Sequence, residues 1–339
     1  STYNFLNKLA SLKRSYSNSK IIAITGSSGK TTLKTLLGKI LSEYGKTYFS
    51  QKSYNNHIGV PLSLSNLEND HKYGVFEIGM SNKGEIRKLS NLVKPNIAII
   101  TNIGEAHIEN FDNLNGIARA KSEIIENISK DGYLILNRDD KYFNYFSKLA
   151  NKKKIKVLTF GKSNNSSAKL IKNKLYKNYN NLHFKILNKD VYLKVKNINS
   201  VTISNILSIL LTLHILDLDL KKINFLTNFQ LIEGRGKVHL VSRYKKKFQL
   251  IDESYNANPS AVKNAINSFS NIKRNNKKKF LLLGDMLELG KKAGNYHKNL
   301  AHFINQSGID KLFVYGKNAF KTYQNTYKAK QGNILQNLR

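Results

Sequence analysis

Short apolar runs alternate along the chain with stretches in which apolar residues recur at helical spacing. Residues 21–25 form an apolar run typical of a buried strand. Residues 31–44 then place leucine and isoleucine on one helical face, at Leu33, Leu36, Leu37, Ile40 and Leu41, and Gly45 follows as a stop signal. The pattern predicts a strand followed by an amphipathic helix.

The same alternation continues downstream. Further strands are predicted at residues 73–78, 97–101, 133–136, 157–160, 248–252, 280–283 and 312–315, and helices from residue 201 and over 260–269. Residues 170–195 instead alternate polar and apolar positions, as in LHFKI and VYLKV, which predicts an antiparallel appendage. We therefore expect an α/β protein with a P-loop-type, mostly parallel central sheet.

Three segments are predicted from these patterns. Residues 1–20 read as an amphipathic helix and a polar linker, residues 21–238 as the central domain, and residues 239–339 as a second, Rossmann-like α/β domain. The glycine-flanked Arg235 lies where a hinge is expected.

The amino-acid composition limits the number of domains and the kinds of site that the chain can form. A length of 339 residues with 40% hydrophobic content predicts two globular domains with apolar cores. Cysteine is absent, which excludes disulfides, thiolate metal sites and cysteine nucleophiles. No apolar run approaches the ~18 residues of a membrane span.

The net charge of +34 allows a nucleic-acid binder as one reading. The lysines are scattered rather than gathered on one helix, and asparagine, isoleucine and tyrosine are abundant too, as compositional drift would produce. We favour drift, with part of the excess attracting an anionic substrate.

The strongest motif lies between the first strand and the first helix of the central domain. Gly26, Ser27, Ser28, Gly29, Lys30, Thr31 and Thr32 have the composition of a phosphate-binding loop. Backbone amides and the helix N-terminus would attract phosphate, the lysine would reach the terminal phosphates, and the Thr31 hydroxyl would ligate magnesium. The general pattern has a glycine where this chain has Ile24. We predict nucleotide binding.

Two further candidate ligand residues lie at or beyond the ends of predicted strands. Glu77 ends one strand and His107 lies in the loop after the next, at the sheet edge where open α/β proteins bind ligands. A carboxylate suits magnesium and a neutral imidazole can bind a metal, so both are candidate ligands.

These motifs amount to a family resemblance. GSSGKTT at 26–32, YNNHIGVPLSL at 54–64, FEIGMSNKGEI at 76–86, TNIGEAHIENF at 101–111 and ARAKSEI at 118–124 resemble the Mur ligases in order and spacing. DESYNANPSAV at 252–262 and LLGDMLELG at 282–290 are similar to those Mur ligases that join D-alanyl-D-alanine to UDP-N-acetylmuramoyl-tripeptide.

The resemblance implies an ATP-dependent amide ligase of peptidoglycan precursor synthesis that proceeds through an acyl phosphate. It implies two Mg²⁺ ions, one held by Thr31 and Glu77 and one by His107 with Lys121, the latter lysine carbamylated. Asn205, Arg235 and Glu253 match nucleotide-contacting positions, although Thr202 replaces the first asparagine of an adenine-contacting pair.

Substrate contacts are implied for asparagines. The resemblance places Asn55, Asn56, Asn256 and Asn258 near the substrates, whereas Asn258 and Pro259 also read simply as a turn that begins a helix. It further implies a monomer in the cytoplasm, where ATP and UDP-linked precursors are found.

Alternatives stay open. The family has a further N-terminal domain that grips the uridine diphosphate, and only its connecting helix fits before residue 21. The C-terminal domain is expected to be truncated. The chain is then a truncated piece of a longer ligase, an unusual reduced ligase, or a catalytically incomplete ATP-binding fragment. Another Mur-type ligase or a folylpolyglutamate-type ligase is a further alternative, against which the SYNANP and GDMLELG segments argue.

Overall fold

The computed structural model describes residues 1–176, 179–196, 199–220, 223, 232–243, 245–272, 274 and 276–336. The chain divides into two compact units. The first comprises residues 1–103 and 115–230, and the second comprises residues 104–114 and 231–339. The domain boundary at residue 238 stays a prediction.

The first unit is built on a nine-stranded sheet. Its strands are β1 (Lys20–Thr25), β2 (Thr47–Phe49), β3 (Tyr73–Glu77), β4 (Ile97–Ile100), β5 (Tyr133–Asn137), β6 (Lys156–Gly161), β7 (Ala168–Leu175), β8 (Tyr179–Ile186) and β9 (Lys189–Lys196). They lie in the order β2-β3-β1-β4-β5-β6-β7-β8-β9, parallel as far as β7 and antiparallel from β7 to β9.

Seven α-helices accompany this sheet in the described residues. They are α1 (Thr2–Tyr16), α2 (Lys30–Ser42), α3 (Gly59–Ser65), α4 (Glu85–Val93), α5 (Leu114–Ser122), α6 (Phe143–Lys152) and α7 (Ser200–Ile215). Helix α1 packs against α3 and α4, and α7 packs against α2 and strands β6 to β8.

Burial explains why these sequences form strands and helices. The side chains Ile21, Ile22, Ala23 and Ile24 of β1 are all fully buried, as expected for a central parallel strand covered on both faces. In α2 the predicted apolar face is buried completely. In β9 buried Val191, Leu193 and Val195 alternate with the exposed Tyr192, Lys194 and Lys196, so that only one face of this strand is covered.

The second unit contains two small sheets. Strands β10 (Lys237–Arg243) and β11 (Lys246–Asp252) form an antiparallel pair, and β12 (Phe280–Leu283), β13 (Lys311–Val314) and β14 (Gln331–Ile334) form a parallel sheet in that order. The described helices are α8 (Pro259–Asn271), α9 (Ala293–Gln306) and α10 (Ala319–Gln324).

The predicted α/β class is confirmed, with a mostly parallel central sheet, an antiparallel appendage and a separate C-terminal sheet. Among the residues that the structure describes, no helix has both the length and the apolar character needed to cross a membrane.

Candidate nucleotide and metal site

The phosphate loop leaves β1 and enters α2. Gly26 has φ 143° and Gly29 has φ 81°, and a Cβ at Gly26 would lie 1.9 Å from the hydroxyl oxygen of Thr101. Both positions therefore favour glycine. Ile24 is the last but one residue of β1 and pairs with Glu77 in the sheet. The backbone therefore leaves the strand only after Thr25. The departure from the general pattern reflects where this strand ends.

The start of α2 presents donors to the loop. Its first intrahelical bond runs from Leu33 N–H to the Gly29 carbonyl, at 2.9 Å. The amides of Lys30, Thr31 and Thr32 precede that bond and lie in the first turn, where helix amides have no intrahelical partner. The ammonium of Lys30 folds back on the loop and donates to the Gly26 carbonyl at 2.8 Å. This cluster is suited to bind an anion.

Asn102 anchors the loop from the segment that follows the neighbouring strand β4. Its carbonyl accepts from Ser27 N–H at 2.9 Å and its side-chain oxygen accepts from Ser28 N–H at 3.0 Å. The Thr101 hydroxyl donates to the Ser28 carbonyl at 2.7 Å. Sequence reasoning assigned no role to Asn102; its position directly after a strand end was the available signal.

Glu77 lies at the carboxyl end of β3, beside the loop. Its carboxylate accepts hydrogen bonds from the Thr31 hydroxyl at 2.8 Å and from the Asn55 side-chain amide at 2.7 Å. The hydroxyl oxygens of Ser53 and Thr31 are 3.0 Å apart. Glu77 is 2% exposed and Thr31 is 5% exposed. Thr31 and Glu77, with the half-buried Ser53 beside them, form a cluster of oxygen atoms, the donor type that Mg²⁺ prefers.

Asn56 has a different place. Its side-chain oxygen accepts from the amides of Ile58 and Gly59, at 3.2 and 2.8 Å, and thereby supports the start of α3. Asn55 therefore faces the carboxylate cluster, while Asn56 shapes the backbone of the same loop.

Lys121 is a buried lysine of α5. The residue is 1% exposed. Burial lowers the pKa of its ammonium well below 10.5, and the positive charge of Lys30 lowers it further. A lowered pKa increases the fraction of neutral, nucleophilic amine near neutral pH.

Asn205 contacts the loop from α7. Its side-chain amide donates to the Gly29 carbonyl at 3.1 Å, and the residue is 2% exposed. Thr202, one turn earlier, bonds through its hydroxyl to Asn199, the N-cap of the helix, at 2.9 Å. Asn205 is thus beside the phosphate loop, and its adenine contact stays a prediction.

The second unit holds the remaining candidates. His107 Nδ1 lies 2.6 Å from a carboxylate oxygen of Glu288, and the backbone amide of Glu109 donates to the Glu288 carbonyl at 3.2 Å. His107 and Glu288 both have positive φ, at 60° and 59°. Non-glycine residues seldom adopt this conformation, and such strain is concentrated at functional sites.

Arg235 lies between two glycines of positive φ, and its guanidinium stacks 4.2 Å from the ring centre of Tyr255. Glu253 is an exposed residue, but neighbouring protein atoms exclude part of the water around its carboxylate. This desolvation, with the charge of Asp252, raises the pKa of Glu253, while Arg235 opposes the change. These groups form a polar cluster where the chain enters β10 and leaves β11.

Asn258 and Asn256 differ in environment. Asn258 is buried and caps α8 by accepting from the Ala261 amide at 2.9 Å, which confirms the helix-starting turn. Asn256 is exposed. A substrate contact for either stays a prediction.

The first unit thus brings together Lys30, Thr31, Glu77, Asn55 and Asn205 around one loop and buries Lys121. The second unit carries His107, Arg235, Glu253, Asn256 and Asn258. The roles assigned to them from the resemblance stay predictions.

Comparison with known proteins identifies the family. The sequence model of the Mur ligase middle domain matches residues 24–213, and that of the Mur ligase, glutamate ligase domain matches residues 236–335.

Relatives match over most of the chain. The UDP-N-acetylmuramoyl-tripeptide–D-alanyl-D-alanine ligase of Rickettsia prowazekii is 35% identical over 317 residues, which are 93% of this chain and 69% of that protein. The Bacillus subtilis enzyme of the same name is 30% identical over 319 residues, 93% of this chain and 67% of that protein. The chain therefore spans about two thirds of the length of these relatives.

Solved structures agree. A crystal structure of MurF from Acinetobacter baumannii superposes with a TM-score of 0.89 at 28% identity, covering 98% of this chain and 71% of that one. MurF from Thermotoga maritima in complex with ADP gives 0.87 at 25% identity, covering 99% and 75%. With both domain models matched and the strand–loop–helix site in place, the chain belongs to the Mur ligase family.

Proposed function

We propose that this chain carries the ATP-dependent ligation of D-alanyl-D-alanine to UDP-N-acetylmuramoyl-tripeptide, a step of peptidoglycan precursor synthesis in the cytoplasm. The relatives named above carry this activity in their names. The observation that supports it most directly is the buried Thr31–Glu77 pair next to a glycine-lined loop. The loop would bind phosphate, and the Thr31 and Glu77 oxygen atoms beside it would bind a divalent cation.

The loop would hold the ATP phosphates. The amides at the start of α2 and the Lys30 ammonium supply positive potential, and the glycines let phosphate oxygens approach the backbone. Arg235 and Glu253 of the second unit, and Asn205 of the first, are proposed contacts of the nucleoside and phosphates.

The oxygen cluster fits a magnesium ion. Thr31 and Glu77 would hold it, and Ser53 lies against the same hydroxyl. When bound, the ion neutralises phosphate charge and makes the terminal phosphorus more electrophilic. No nitrogen or sulfur donor is needed for this first site.

Lys121 fits the second proposed site after modification. A neutral lysine amine adds to carbon dioxide and loses one proton, which gives a carbamate anion with two oxygen atoms. The lowered pKa of Lys121 favours the neutral amine that this addition requires. The carbamate would be an oxygen ligand together with His107, whose contact with Glu288 through Nδ1 favours metal binding through the other ring nitrogen.

The reaction then follows from charge and proximity. The tripeptide carboxylate attacks the γ-phosphorus of ATP, ADP leaves, and an acyl phosphate forms. The neutral amine of D-alanyl-D-alanine attacks the acyl carbon, phosphate leaves, and the amide nitrogen loses a proton. The Lys30 charge reduces repulsion between the carboxylate and ATP, and exclusion of water protects the acyl phosphate from hydrolysis.

The test measures phosphate and ADP release with ATP, UDP-N-acetylmuramoyl-tripeptide and D-alanyl-D-alanine, each omitted in turn. Phosphate release that requires all three supports the proposal, and Lys30→Met should abolish it. ADP binding without turnover would favour the fragment reading. Salt-dependent retention on DNA without ADP binding would favour a nucleic-acid binder.

A further inference from the structure

Lys34 is a fully buried lysine one helical turn after Lys30 in α2. It is 0% exposed, and an ammonium removed from water is costly unless polar groups surround it. None of the phosphate-loop roles described above requires it. Its burial among polar groups therefore indicates a role other than phosphate binding.

The ammonium of Lys34 contacts the loop that follows β2. It donates to the Ser50 hydroxyl at 2.9 Å and to the Lys52 carbonyl at 2.7 Å. The Ser50 hydroxyl itself donates to the Lys52 carbonyl at 2.9 Å, and the Tyr54 amide donates to the same carbonyl at 2.8 Å. Lys34 thus binds the first residues of this loop to α2.

The following residues of the same loop reach the carboxylate cluster. The hydroxyl oxygen of Ser53 lies 3.0 Å from that of Thr31, and the side-chain amide of Asn55 donates to the Glu77 carboxylate at 2.7 Å. The Asn55 carbonyl also accepts from the Gly79 amide at 2.8 Å, which fixes the loop against the residues after β3. One side of the loop is therefore tied to the buried lysine and the other to the candidate metal ligands.

We propose that Lys34 is a positioning residue that holds loop 50–56 against α2, so that Ser53 and Asn55 keep Thr31 and Glu77 oriented for the divalent cation. This inference rests on the proposed ATP–magnesium function. Lys34 acts through the loop, without touching phosphate or metal.

The experiment compares Lys34→Met with Lys39→Met, a substitution of an exposed lysine in the same helix. ADP affinity is measured by calorimetry over a series of Mg²⁺ concentrations and again in chelator. Loss of a partner that orients metal ligands typically weakens metal binding about tenfold or more. Lys34→Met should raise the half-saturating Mg²⁺ concentration by about that factor and leave ADP affinity in chelator unchanged. Lys39→Met should change neither.

Hydrogen exchange provides a readout that does not depend on the nucleotide. The amides of Tyr54 and Gly79 should exchange faster in Lys34→Met, while those of β1 keep their protection. Lys34→Arg, which retains a donor, should restore part of the Mg²⁺ response.

Several outcomes overturn the inference. An unchanged Mg²⁺ response in folded Lys34→Met does so, and so does an equal loss of ADP affinity with and without Mg²⁺, which would mean direct action on phosphate. If Lys34→Met does not fold, Ser50→Ala removes one partner of the ammonium, and it should raise the Mg²⁺ requirement about threefold. No change in Ser50→Ala would then reject the idea. Failure of the unaltered protein to bind ADP with Mg²⁺ would instead reject the proposed function.

Discussion

The hydroxyl of Thr31 donates a 2.8 Å hydrogen bond to the carboxylate of Glu77, and both side chains are buried. The register of β1 and β3 explains the contact, because Ile24 lies opposite Glu77 and α2 begins soon after Ile24. A phosphate loop and a metal-binding carboxylate therefore come from adjacent strands of one sheet, at the edge where parallel sheets bind ligands.

Glu77→Gln should weaken the Mg²⁺ dependence of ADP binding. The substitution keeps the shape of the side chain but removes its charge, and we expect the gain in ADP affinity on adding Mg²⁺ to fall about tenfold or more. Calorimetric titration of ADP with and without Mg²⁺ measures this gain. Glu126→Gln, which alters an exposed ion pair with Arg87, is the control. An undiminished gain in Glu77→Gln would exclude Glu77 as a ligand.

Gly26→Ala should destabilise the first unit and abolish nucleotide binding. The added Cβ would meet the Thr101 hydroxyl oxygen at 1.9 Å, at a φ that side chains rarely adopt. We expect a loss of about 3 kcal/mol in the free energy of unfolding, measured in urea. Adding Thr101→Ala should recover part of it. Gly284→Ala, where a Cβ meets nothing within 4 Å, should have little effect. Equal losses at the two glycines would contradict the steric explanation.

The sequence predicted the central strands well, and physical reasons explain where it failed. Strands such as β1 are buried on both faces and form apolar runs that are visible without a structure. Strand β2 has only three half-buried residues, too few to show a period, and it was missed. The antiparallel appendage was predicted from two alternating stretches, which are β8 and β9. It also contains β7, whose five exposed residues carry little pattern.

The candidate site was predictable where chemistry is local and obscure where it depends on packing. Lys30 and Thr31 belong to a contiguous motif, and Glu77 ends a recognisable strand. Asn102 and Lys34 gain their roles from contacts with residues distant in sequence, which no local pattern reveals. Asn258 was open between two readings, and the structure shows its helix-capping bond.

Lys330→Met should destabilise the second unit. The Lys330 ammonium donates to the carbonyls of Ile304, Ser307 and Ile309, at 3.1, 2.7 and 3.1 Å, around the end of α9. Losing these bonds should lower the free energy of unfolding by about 2 kcal/mol. Lys328→Met, an exposed lysine two positions earlier, is the matched control and should have little effect. Thermal unfolding of both variants decides; a similar shift in the two would contradict the prediction.

Lys121 should make stability depend on pH in a defined direction. Burial, then the charge of Lys30, lowers the pKa of Lys121 in the folded protein below its ordinary value of 10.5. Between the lowered pKa and 10.5 the unfolded chain binds more protons at this group than the folded chain does. The contribution of Lys121 to the free energy of unfolding therefore rises with pH across that window.

Lys121→Met removes this proton linkage while retaining an unbranched side chain of similar length. In buffers free of carbon dioxide, where no carbamate forms, we expect the variant to be more stable than the unaltered protein at neutral pH. The difference should shrink as the pH rises towards 10.5, because the unfolded chain then also loses its proton at this lysine and folding no longer requires deprotonation. Urea unfolding at several pH values measures this difference, with the exposed Lys130→Met as control. A difference that grows with pH would show that Lys121 is stabilised as a cation, and carbamylation would then lack its neutral amine.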